Sequence, residues 1–68
     1  MRIELTEYVN LNHNRTAKVI KTANGYEADF FENNKFVATR KLHQYTEEYA
    51  QDACENWVEK IIDTPDMA

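Results

Sequence analysis

One glycine, one proline and one cysteine are all that this 68-residue chain holds of the residues that most constrain a backbone. A single cysteine, Cys54, excludes an internal disulfide. A single glycine leaves no phosphate-cradling loop and no dinucleotide fingerprint. His13 and His43 stand far apart and make no close ligand pair with Cys54, so zinc-type spacing is missing. No apolar run approaches the roughly 18 residues of a membrane span, and the opening MRIELTEYVN lacks the apolar stretch of a signal peptide. The expectation is a soluble, cytoplasmic protein with no cofactor, no metal and no small-molecule or membrane partner. Nothing offers a nucleophile or acid–base pair in a catalytic pattern, so no enzyme is expected.

What the chain does have is apolar substance. Hydrophobic residues make up 43% of it, with four Tyr, three Phe and one Trp at a net charge of −4, which is the composition of a folded globule. A domain this small buries only about 60% of its unfolded surface, so close packing or a second subunit has to supply stability.

Because turn residues are scarce, each carries weight. Asn24-Gly25 fits the two central positions of a type I′ hairpin turn, which need positive φ. Asn33-Asn34 tolerates left-handed backbone and closes a second hairpin. These two turns predict a meander over residues 17–42, with Phe31 opposite Phe36, Phe30 opposite Val37, Glu27 opposite Arg40 and Glu32 near Lys35. Residues 1–10 read as an extra strand before the polar turn NLNHN.

From Thr46 the apolar period changes from two to 3.6, because Ala50, Ala53, Cys54, Trp57, Val58, Ile61 and Ile62 share one stripe. This predicts a helix over residues 46–62, N-capped by Thr46, with Tyr45 stapled onto Ala50. Pro65 ends it, and residues 63–68 are expected to fray. The fold class is α+β: a three- or four-stranded antiparallel meander with one amphipathic helix on one face.

Alternation sorts the sheet. Val19, Lys21, Ala23, Tyr26, Ala28, Phe30, Val37 and Thr39 form the face toward the helix, under Ala53, Cys54, Trp57, Val58 and Ile61. Lys18, Ile20, Thr22, Glu27, Asp29, Phe31, Phe36, Ala38 and Arg40 form the outer face. An apolar patch of Ile20, Phe31, Phe36 and Ala38, rimmed by charges that include Arg40, is a candidate docking surface for a protein partner or a second copy of the chain. Cys54 on the apolar stripe reads as a buried, inert thiol, and His13 and His43 as solvated side chains.

Charge divides unevenly, with residues 15–41 at net +3 and residues 42–68 at net −6. On the helix, Glu48, Asp52, Glu55 and Glu59 make an acidic stripe opposite the apolar one, a solvated face or a second candidate surface.

A meander followed by one helix, with GYEADF as a middle strand and TEEYAQDA opening the helix, resembles the AP2-type and phage-integrase arm-binding DNA domains. The resemblance covers Thr16–Ile62. It implies nucleic-acid binding by the sheet, here through Lys18, Lys21, Lys35, Arg40 and Lys41. Those domains read DNA with several Arg and Trp on the sheet, whereas Glu27 and Asp29 here would meet phosphates unfavourably. The layout is also similar to small uncharacterised phage and bacterial proteins, which implies a phage or bacterial source. The first expectation is a small non-catalytic interaction protein that uses its outer sheet face, and the alternative is a sheet-type nucleic-acid-binding domain.

Overall fold

The computed structural model describes residues 1–61. Four strands, β1 (Ile3–Asn10), β2 (Arg15–Thr22), β3 (Gly25–Glu32) and β4 (Lys35–Leu42), precede one helix, α1 (Glu47–Val58). The strands pair in chain order, each antiparallel to the next, in one open sheet. α1 lies across β2, β3 and β1, which gives the two-layer α+β architecture expected from the sequence.

Each turn is held by its own chemistry. In the first, Asn10 Oδ1 accepts from the backbone N–H groups of Asn12 and His13 at 3.0 and 3.3 Å, and Asn14 adopts φ 55°. In the second, the tip is Ala23-Asn24 rather than Asn24-Gly25, because Thr22 pairs with Gly25. Thr22 Oγ1 accepts from the Asn24 N–H at 3.1 Å and donates to the Gly25 carbonyl at 3.0 Å. Gly25 is needed for a different reason: its φ is +134°, and a Cβ there would stand 2.9 Å from the His43 backbone. The third turn matches expectation, with Asn33 and Asn34 at φ 54° and 65° filling a type I′ turn. The Asn33 N–H donates to the Asn14 carbonyl at 2.8 Å and ties the first and third turns together.

Two register differences follow, with opposite consequences. The second turn moves β2 by two residues, so Val19 faces Ala28 and Ala17 faces Phe30. Side chains alternate with period two, so this shift leaves both faces as expected except at Ala23, which moves from the helix face to the exposed turn tip. In β4, Phe31 pairs with Phe36 and Glu32 with Lys35, but Phe30 pairs with Ala38 and Glu27 with Lys41. Val37 is the additional residue of a β-bulge, and that single-residue shift turns the rest of the strand over. Ala38 and Arg40 therefore lie on the helix side opposite Phe30 and Ala28, not on the outer face, while Thr39 and Lys41 lie outside. Leu42, opposite Tyr26, becomes part of the core. β1 carries a comparable irregularity at Leu5.

The core joins Ala17, Val19, Ala28, Phe30 and Leu42 of the sheet to Ala50, Ala53, Cys54, Trp57 and Val58 of α1. Small residues at 17 and 28 let the helix approach, and Trp57 meets Phe30 edge-on with ring centroids 5.3 Å apart. Thr46 is the N-cap, its hydroxyl accepting from the Tyr49 N–H at 3.2 Å. Tyr45 stacks on Tyr49, ring centroids 4.1 Å apart, in place of the expected staple onto Ala50.

α1 stops at Val58, short of the expected Ile62. Lys60 turns left-handed at φ 61°, its N–H donates to the Trp57 carbonyl, and the Ile61 N–H donates to the Asn56 carbonyl. This is a Schellman ending, achieved without glycine. Ile61 consequently leaves the stripe and is 71% exposed instead of buried. Ile62 and the expected frayed segment 63–68 lie outside the described residues.

The sheet also grips this helix end. His13 Nδ1 lies 3.1 Å from the Val58 carbonyl, so His13 is a structural contact and not a solvated side chain. Arg15 donates to the Trp57 carbonyl at 3.0 Å and to Glu32 at 2.9 Å, with its guanidinium over the Trp57 ring. A cation at the negative end of the helix dipole is favourable there.

Candidate functional site

The register arranges the outer face in three cross-strand rows. From β1 to β4 they are Val9, Thr16, Phe31, Phe36, then Glu7, Lys18, Asp29, Thr39, then Glu4, Ile20, Glu27, Lys41.

In the second and third rows most of the charges are paired. Arg2 donates to Asp29 at 2.8 Å and to Glu27 at 3.3 Å, and its guanidinium pKa is raised by the hydrogen bond to Asp29. His43 Nε2 lies 2.8 Å from Glu27 Oε2, and Thr39 donates to Asp29 at 2.6 Å. The hydrogen bond from His43 holds the Glu27 carboxyl below its usual range against the opposing effect of burial. His43 is thus a partner of a buried carboxylate, not a solvated residue. Lys18 Nζ bridges Glu4 and Glu7 at 3.3 and 3.9 Å. Ile20, between Glu4 and Glu27, is only 5% exposed.

The first row is different in kind. Phe31 and Phe36 meet edge-to-face with centroids 5.8 Å apart, and Phe36 is 60% exposed. Val9, at the far end of the row, is 55% exposed. Lys18 Nζ stands 5.3 Å from the Phe31 ring, adding a cation–π contact at the rim. Two shallow clefts open here, of about 200 Å³ between Lys18, Thr16 and Phe31, and about 160 Å³ between Val9, Leu11, Thr16 and Asn34. Both are smaller than the roughly 300 Å³ at which small-molecule pockets begin, and suit single side chains.

The residues singled out from the sequence scatter in part. Phe31 and Phe36 stand together as expected, Ile20 is buried two rows away, and Ala38 and Arg40 are on the opposite face. The proposed nucleic-acid set does not share a surface either: Lys18 and Lys41 are on the outer face, whereas Lys21, Lys35 and Arg40 are in rows on the helix side. Lys21 Nζ is 4.4 Å from the Tyr26 ring. Val9 and Thr16 complete the aromatic row and were not singled out, since the β1–β2 register that places them there is not encoded by a strong turn signal.

Glu48, Asp52, Glu55 and Glu59 are all exposed, as the helical stripe requires. The Tyr8 hydroxyl on β1 is shifted to higher pKa first by burial and then by Glu55. Cys54 is buried, and desolvation pushes its thiol up to about 12, so it is a packing residue. Among the described residues no group of His, Cys, Asp and Glu could hold a metal ion. No protein-family model, curated protein or solved structure matches the chain.

Proposed function

We propose that this chain is a small non-catalytic interaction protein that docks a partner protein on its outer sheet face, along the row Val9, Thr16, Phe31 and Phe36. The observation that carries the reading is the contrast between rows. Most charges over the rest of the face are paired, Arg2 with Glu27 and Asp29 and Lys18 with Glu4 and Glu7, while the aromatic row is left half-exposed beside two side-chain-sized clefts. An apolar strip rimmed by satisfied polar groups is the usual form of a protein contact, with aromatic anchors at its centre. A nucleic-acid surface would need its cations together and unneutralised, and Lys18 sits between Glu4 and Glu7.

The test is peptide selection. Peptides selected from a random library on the wild-type protein, with the Phe31→Asp, Phe36→Asp variant as counter-selection, should carry apolar anchors and bind with little dependence on salt. Amide shifts in the NMR spectrum should map them to Val9, Thr16, Phe31 and Phe36, and Phe31→Ala should weaken binding about tenfold, as for an anchor residue. Selected peptides that map elsewhere, or duplex DNA that binds with a steep salt slope, would overturn the reading.

A further inference from the structure

Both edges of the sheet are open strands, and their charges are segregated by sign. β1 carries Glu4 and Glu7 with no base, while β4 carries Lys35, Arg40 and Lys41 with no acid. Edge strands are commonly blunted with charges and bulges, and both devices occur here, with irregularities at Leu5 and at Val37. Charges of one sign on each edge do something more selective. They oppose pairing of like edges, since an antiparallel β1–β1 or β4–β4 contact brings like charges across from one another, and leave pairing of unlike edges attractive.

We propose that the protein self-associates head to tail, with the β4 edge of one copy beside the β1 edge of the next. The order β1-β2-β3-β4 makes β4 antiparallel to a β1 placed next to it by translation, so the added copy continues the sheet with its helix on the same side. Carrying the three outer rows across the junction sets Lys41 beside Glu4, Thr39 beside Glu7, and the exposed Phe36 beside the exposed Val9. On the other face, α1 leaves β4 largely uncovered, and the row that ends in Arg40 continues to Thr6 of the next copy. Opposite charges therefore meet on the outer face of the junction, at Lys41 and Glu4. Association of this kind is heterologous and does not close at a dimer. The junction shares Val9 and Phe36 with the docking row but is told apart from it by the charged residues of the two edges, which lie outside that row.

Sedimentation velocity on the full chain, from micromolar to millimolar protein at low and high salt, tests it. The average mass should rise past that of a dimer at low salt and fall back toward the 8.0 kDa monomer as salt screens the junction. Arg40→Glu with Lys41→Glu should weaken association by about tenfold or more, and so should Glu4→Lys with Glu7→Lys. An equimolar mixture of these two variants should associate again, because the acidic β4 of one now faces the basic β1 of the other. That rescue also shows that neither variant was merely unfolded. A monomer at every concentration, a mass that saturates at a dimer, or a mixture that stays as monomeric as its components would overturn the proposal. Loss of association with Phe31→Asp, with the charge variants unaffected, would instead assign self-contact to the outer row.

Discussion

Arg15 stands over the face of Trp57, its guanidinium carbon 3.9 Å from the ring centroid, while the same guanidinium donates to the Trp57 backbone carbonyl at 3.0 Å. One side chain thus joins the first turn of the sheet to both the main chain and the side chain of the helix's last turn. Arg15 is 4% exposed, so its charge is compensated within the protein, by contacts that include these and Glu32.

Removing that side chain costs more than a surface arginine would. Arg15→Ala forfeits a desolvated cation–π contact and a charge-assisted hydrogen bond, a loss of about 2–4 kcal/mol. Lysine keeps the charge but not the planar fork, so Arg15→Lys should fall between alanine and wild type. Urea melts of both variants give these differences. A double-mutant cycle with Trp57→Phe then isolates the coupling, which should be favourable and resolvable from zero.

Gly25 should resist substitution although its turn is not the type I′ turn suggested by Asn24-Gly25. Its φ of +134° and the 2.9 Å approach to the His43 backbone act together in Gly25→Ala. Strained backbone of this kind costs about 1–3 kcal/mol before the steric conflict is added. Asn24→Gly, at the tip, should cost much less. The ratio of the two losses in thermal or urea unfolding distinguishes a glycine needed for closeness from one needed for turn type.

Glu27 couples stability to pH. Its carboxyl titrates below its ordinary value of 4.5 in the folded protein, chiefly through the hydrogen bond to His43 and also through Arg2. The unfolded chain therefore binds the proton more readily, so the contribution of this group is present above the ordinary carboxyl range and disappears as pH falls through the depressed folded value. The stability difference between wild type and Glu27→Gln should be largest near neutrality and shrink steadily below about pH 4.5. A difference that grows on acidification would reverse the assigned sign.

Cys54 should behave as an apolar side chain. With its pKa pushed to about 12, the folded protein should resist iodoacetamide at pH values where a free thiol reacts, and label stoichiometrically once unfolded in urea. Intact-mass spectrometry reads both states.

How much of this was legible depends on parity. The meander, the N-capped helix and the Phe31–Phe36 pair followed from Asn33-Asn34, from Thr46 and from the change of period. The misplaced second turn moved β2 by two residues, and an even slip cannot exchange faces, so Val19, Ala28 and Phe30 still fell under Trp57. The bulge at Val37 shifts by one, and no residue type in KFVATRKL announces it. Ala38, Thr39 and Arg40 therefore fall on the faces opposite to those expected for one common reason. The helix end was misread because a non-glycine, Lys60, takes the left-handed position. The aromatic half of the candidate surface was accordingly readable, while its continuation through Thr16 to Val9 depended on a register set by Asn10 and Asn14.

The register of β4 beyond the bulge should depend on residue count. Deleting Val37 keeps Asn33-Asn34 and the Phe31–Phe36 pair and brings Ala38 directly after Phe36, opposite Phe30. Thr39, Arg40, Lys41 and Leu42 then keep the partners and faces they have now, because Val37 is the one residue that the ladder does not pair. The deletion should therefore unfold cooperatively, as should Val37→Ala. An alanine inserted between Ala38 and Thr39 does the opposite. It moves Leu42, fully buried at present, one place along the strand and onto the outer face, and turns Lys41 toward the helix. Losing a buried leucine from the core costs about 2–5 kcal/mol, and forcing a lysine inward adds to it. In a domain whose total stability is of the order of 5 kcal/mol, the insertion should abolish cooperative unfolding. Circular dichroism melts of the three variants decide the matter. An insertion that folds as well as the deletion would show that β4 forms a second bulge to restore Leu42 and that its register is set by the core, not by the turn.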